Sequence, residues 1–99
     1  MSSLTTKADV TKNATFLKDL TASGSNIDIS DFSSYEYLII WAFTGYQRYG
    51  TILIPISVIN MDANAEWKVY DNTLKFLSST KLTYTKGSSG YTTRIYGVK

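Results

Sequence analysis

The sequence predicts an all-β protein: an antiparallel β-sandwich, jelly-roll-like, built from six to eight short strands. Three observations carry this expectation. Eight tyrosines, with serine and threonine making up about a quarter of the 99 residues, favour pleated strands and polar turns over helices. Apolar residues recur with a period of two in several short segments. Turn-forming residues separate those segments at regular intervals, and most of the six glycines and the single proline fall at the breaks.

The segment Ala14 to Thr21 reads either as a first strand or as one or two amphipathic helical turns carrying Ala14, Leu17 and Leu20. The strand is preferred because it supplies the sheet with another pairing partner. Residues 1–13 read as a polar N-terminal arm or linker remnant, and residues 14–99 as one sandwich domain. Ile27 and Ile29 alternate with Asp28 and Ser30 as a short strand. Tyr35 to Phe43 is a long strand with apolar residues on both faces, so both faces are expected to be covered, by the core or by a subunit contact.

Thr51 to Ile59 reads as the next strand, with Ile52, Ile54, Ile56 and Val58 on one face. Pro55 lacks an N–H for the ladder, which places this strand at an edge or at a bulge. Between the two lies a polar and aromatic hairpin loop, Thr44 to Gly50, so they should be antiparallel neighbours. Met61 to Ala65 is a connection into Glu66–Tyr70, and Asp71-Asn72 is a turn pair before Leu74 to Leu77. Lys81 to Thr85 alternates cleanly, with Leu82 and Tyr84 pointing inward. Lys86 to Gly90 is expected to close a hairpin onto the last strand, Tyr91 to Val98.

Composition excludes several functions. A chain of this length suits one domain with one core, without staples. Cysteine is absent, so neither disulfides nor thiolate metal sites contribute. Met1 to Leu20 carries scattered charges and no apolar signal segment, and no apolar run is long enough to span a bilayer. The net charge is +2, and the basic residues are dispersed rather than clustered, which argues against nucleic-acid binding.

Catalysis is also disfavoured, because histidine and cysteine, the commonest general base and the strongest nucleophile, are both missing. The carboxylates Asp9, Asp19, Asp28, Asp31, Glu36, Asp62, Glu66 and Asp71 are scattered among turns and polar strand faces, where capping and solvation explain them. The alternating oxygens of Asp62, Asn64 and Glu66 lack the glycine turn and terminal glutamate of a calcium loop, and no glycine-rich loop leads into a helix to cradle phosphate. The expected protein is therefore not an enzyme and holds no metal or cofactor.

Two groups are candidate binding residues. Tyr46, Gln47, Arg48 and Tyr49 combine two aromatic rings, an amide and a guanidinium on one short loop, a set able to stack on a sugar face and donate hydrogen bonds to its hydroxyls. Equally, both tyrosines could fold back onto the end of the sandwich. Asn60, Asp62 and Asn64 form a second group rich in acceptors, which turn chemistry would also explain. Trp41 and Trp67 are read as core or subunit-contact residues.

Three segments carry a resemblance. Ile27-Asp28-Ile29-Ser30-Asp31-Phe32 followed by Tyr35-Glu36-Tyr37-Leu38-Ile39-Ile40, the strand Thr51-Ile52-Leu53-Ile54-Pro55, and the ending Arg94-Ile95-Tyr96-Gly97-Val98-Lys99 resemble the C-terminal head domains of bacteriophage tail-fibre and minor tail proteins. The resemblance covers about residues 14–99. It implies a β-sandwich head, commonly trimeric, made in the host cytoplasm and displayed on a virion. Its implied partners are host-surface saccharide or neighbouring virion proteins. It fits the head of a longer fibre or a stand-alone decoration protein. The alternative is a structural virion component that binds no ligand.

Overall fold

The computed structural model describes residues 14–45, 47–61 and 65–99. The elements are β1 (Ala14–Leu20), β2 (Gly24–Asp28), β3 (Tyr37–Thr44), β4 (Gln47–Pro55), α1 (Ile56–Met61), β5 (Glu66–Val69), β6 (Asn72–Ser78), β7 (Lys81–Thr85) and β8 (Thr92–Val98). They form two four-stranded antiparallel sheets. One has the order β1-β8-β3-β4 and the other β2-β7-β6-β5. The expected all-β sandwich of eight strands is what the chain forms. The outer strands wrap in jelly-roll fashion, with β1 and β2 in opposite sheets beside β8 and β7, while β3–β4 and β5–β6–β7 pair as local hairpins.

The core lies between the sheets. Leu17 and Leu20 of β1, Leu38, Ile40 and Ala42 of β3, Ile54 of β4 and Ile95 of β8 face Val69, Leu74, Phe76, Leu82 and Tyr84 of the second sheet. Each fully buried aliphatic or phenyl side chain contributes about 1.5–3 kcal/mol. Ala14–Leu20 is the strand that was preferred over a helix, and β4 is an edge strand, as Pro55 requires.

Four expectations are corrected. The strand expected over Thr51 to Ile59 stops at Pro55, and Ile56–Met61 is helical. Ile56 and Ile59, three apart, turn into the core while Val58 is left exposed. That spacing closes one end of the sandwich, whereas a continued strand would have run past it.

The loop expected over Thr44 to Gly50 is much shorter, because β4 already begins at Gln47. Asn72 is not a turn residue: the turn is Tyr70-Asp71, and Asn72 is the fully buried first residue of β6. Finally, β7 and β8 are not a hairpin. Residues 86–91 carry the chain from one sheet to the other, because the buried polar side chain of Asn72 anchors that crossing.

Ala14 pairs with Val98, so both lie at the end of the sandwich that α1 closes. The opposite end gathers the β1–β2, β3–β4, β5–β6 and β7–β8 connections. Lys86 N donates to Ser23 Oγ at 2.8 Å, and Ser89 N and Oγ donate to Asp71 at 2.8 and 2.6 Å. The Ser89 side-chain and backbone hydrogen bonds hold the Asp71 carboxyl below its ordinary pKa.

Gly97 shows how tightly the α1 end is packed. A methyl group there would meet the Tyr35 ring at 2.7–2.9 Å, against its near edge rather than its flexible tip. Gly97→Ala is expected to cost about 1–2 kcal/mol through displacement of that ring. A urea titration followed by tryptophan fluorescence reads the effect as a lower midpoint at unchanged slope.

Candidate functional site

The outer faces of the two sheets differ in chemistry. On the second sheet, Glu66, Lys75 and Thr83 form one row and Lys68, Thr73 and Thr85 another, and Lys81 pairs with Asp28. This is an ordinary solvated surface. On the first sheet, Phe16, Tyr96, Ile39 and Leu53 form one row across all four strands, and Asp19, Arg94, Trp41 and Thr51 form the next. Phe43 follows, opposite Arg48 and Thr92.

Period-two alternation alone does not build this face, because a β-bulge in each edge strand re-aims the side chains at it. In β1 the register shifts between Phe16 and Lys18. Leu17 and Leu20 therefore both point into the core, and Asp19 lands on the outer face opposite Arg94. In β4 the shift falls at Gly50, the extra residue between Thr51, which pairs with Trp41, and Tyr49, which pairs with Ala42. Gly50 has φ +56°, the left-handed geometry of a glycine bulge.

A one-residue slip exchanges the faces of a strand. Beyond Gly50, Arg48 joins Trp41 on the outer face while Tyr49 turns toward the core. Bulges are favoured where a side chain must be re-aimed next to a functional site, and here two of them flank the same rows.

The result is a ladder of guanidinium groups and rings. The Arg48 guanidinium carbon lies 4.5 Å from the Trp41 ring centre, and Trp41 leans on Tyr96 at 5.0 Å. Arg94 lies 4.6 Å from the Phe43 ring centre and 5.5 Å from that of Phe16. Arg94 is also gripped by Asp19 through two parallel hydrogen bonds of 2.7 and 2.9 Å, which raise its pKa further above the ordinary arginine value. Among the described residues Arg48 makes no ion pair. Trp41, Phe43, Gly45, Arg48, Arg94 and Tyr96 line a shallow groove of about 230 Å³. Drug-sized pockets run from about 300 Å³ upward, so this groove suits a single small ring or one unit of a polymer.

The sequence-predicted residues are only partly brought together. Gln47 and Arg48 are exposed on β4, and Arg48 belongs to the groove. Tyr49 does not share that face. Its ring stacks on Tyr91 at 4.5 Å, with Tyr70 5.6 Å away, and its hydroxyl donates to Gln47 Oε1. The bulge is the physical reason that Arg48 and Tyr49 part company.

Asn60 is exposed in the last turn of α1, at the far end of the sandwich from Gln47 and Arg48. Tyr46, Asp62 and Asn64 lie outside the described residues. Trp67 is packed against the core, whereas Trp41 is outside it, on the groove.

Asp19, Phe43, Arg94 and Tyr96 were missed. Asp19 and Arg94 are 75 residues apart and carry no local motif. The isolated Gly50 within an alternating pattern was the usable signal for a bulge. Among the described residues no three Asp or Glu side chains converge as a metal site would require, and no helix is long and apolar enough to cross a membrane.

Fold and face together define a β-sandwich protein with one solvated outer face and one aromatic–guanidinium outer face. Comparison of the chain with family models, with curated proteins and with solved structures finds no match.

Proposed function

We propose that the chain is a non-enzymatic virion or tail module, a receptor-binding head that holds host-surface saccharide in the groove on its first sheet. The observation that carries this reading is the groove itself: three aromatic rings and two guanidinium groups on a rigid sheet, with Arg48 aimed there by the bulge in β4. Sugar rings present apolar C–H faces and a rim of hydroxyls, so aromatic surface beside planar donors matches both halves. Sites built on strands hold such groups more firmly than loops do. The resemblance to tail-fibre heads supplies the virion context.

A structural virion role is the second reading, and a specific observation favours it. Phe16 and Leu53, at the two edges of the same face, are 52% and 57% exposed, as residues awaiting a neighbouring protein would be. The trimer implied by the resemblance would use such a surface.

One experiment separates the two. Wild type and Trp41→Ala are tested on a glycan array and by light scattering. The expected outcome is saccharide binding by wild type and at least about tenfold weaker binding by Trp41→Ala, with both variants equally folded. Association that depends on concentration, with no saccharide signal from wild type, would replace the receptor-binding reading with the structural one.

A further inference from the structure

The two guanidinium groups of the groove are not equivalent. Arg94 is paired, because Asp19 accepts from its Nε and Nη2 at 2.7 and 2.9 Å and compensates its charge. Arg48 is exposed, forms no ion pair among the described residues, and stacks at 4.5 Å on Trp41. A guanidinium held over a ring can still offer the N–H groups at its rim, and a carboxylate accepts two of them side by side. The groove therefore holds two positive groups against one carboxylate, and the excess charge sits on Arg48.

We infer that Arg48 is a carboxylate-reading position and that the groove takes acidic saccharides, with uronic-acid or sialic-acid units, in preference to neutral ones. This rests on the saccharide reading above. The sugar carboxylate meets the Arg48 fork while the ring lies in the groove against Tyr96 and the Trp41 edge. The Asp19 carboxylate, held on Arg94, is not available to repel it at close range, because its charge is compensated by that pair. A neutral sugar gains the ring contact and hydroxyl hydrogen bonds, without the charge-assisted bidentate pair.

The test uses titration calorimetry with oligogalacturonide, with the same oligomer after reduction of its carboxyl groups, and with polyglutamate. Wild type is expected to bind the acidic oligomer at least about tenfold more tightly than the reduced one, the scale of one charge-assisted bidentate contact. Arg48→Gln should abolish that difference, weakening the acidic oligomer far more than the reduced one. Arg48→Lys should restore part of it, since an ammonium supplies charge without the fork.

Equal affinity of wild type for the two oligomers overturns the inference and leaves the saccharide reading standing. Polyglutamate binding as tightly as the acidic oligomer also overturns it, because charge alone would then suffice. Preference retained in Arg48→Gln overturns the role of Arg48. If wild type binds neither oligomer while glycan-array binding of other, neutral sugars persists, the acidic specificity fails alone; if there is no saccharide signal anywhere, both readings fail together.

Discussion

Replacing Asn72 with alanine is expected to destabilise the domain by about 3 kcal/mol, the largest single loss outside the apolar core. The side chain is fully buried and satisfies groups on two other segments. Its Nδ2 donates to Thr93 Oγ1 at 2.8 Å and to the Tyr91 carbonyl at 3.1 Å, while its Oδ1 accepts from Gly87 N at 2.7 Å. Alanine leaves the Gly87 N–H without its acceptor and opens a void beside Thr93. The Tyr84 hydroxyl, 3.1 Å from Thr93 Oγ1, covers part of the loss on the β8 side. Nothing comparable replaces the acceptor for Gly87.

A loss of this size lowers the melting temperature of a domain near this length by roughly 12–20 °C. Differential scanning calorimetry reads it directly, and a cost below about 1 kcal/mol would show that the crossing from β7 to β8 is anchored elsewhere. Local consequences should appear at the same end. Asp71 and the residues 86–91 should lose amide protection before the strands do, because their hydrogen bonds close over Asn72.

Most of the sandwich was legible because it is encoded in side-chain alternation. Leu38, Ile40 and Ala42, alternating with Tyr37, Ile39, Trp41 and Phe43, announce a strand with an inward apolar row, and Leu82 with Tyr84 marks another. What alternation cannot announce is a change of phase. The bulge at Leu17 and the one at Gly50 each shift the phase by one residue, so Asp19 and Arg48 appear on the outer face only after the strands are paired. The same blindness affected the segment after Pro55. Ile52, Ile54 and Ile56 extend a period of two, yet Ile56 and Ile59 close the sandwich with a helical spacing.

Asn72 was read as a turn residue because Asp-Asn pairs favour turns. Its burial depends on Gly87, Tyr91 and Thr93, which lie 15 to 21 residues further along. Within the candidate site, loop chemistry points to Arg48, whereas Trp41 reads as a core or subunit-contact residue. Arg94, Tyr96 and Phe43 were identified only as strand residues, since their joint role exists only across the sheet.

Gly50→Ala is expected to cost about 2–3 kcal/mol and to weaken ligand binding in the same step. Two separate penalties act there. The backbone has φ +56°, where a Cβ costs about 1–2 kcal/mol. The added methyl would also lie 2.8 Å from the backbone nitrogen of Tyr70 and 3.2 Å from its Cα, so it meets main chain that cannot swing aside. The reduced entropy of the unfolded chain returns only about 0.4–1 kcal/mol.

Gly45→Ala separates the two penalties, because Gly45 has nearly the same φ, +55°, and open space where its Cβ would go. The glycine-specific strain should appear in both variants and the contact with Tyr70 in Gly50→Ala alone, so the excess cost measures the packing of β4 against the β5–β6 turn. The functional consequence follows from the bulge. Any relaxation that draws Gly50 away from Tyr70 disturbs the register step between Thr51 and Tyr49, and that step is what carries Arg48 to Trp41. Saccharide affinity should therefore fall further in Gly50→Ala than in Gly45→Ala, whose added methyl only borders the groove. Equal affinities in the two variants would mean that Arg48 reaches the groove without help from the bulge.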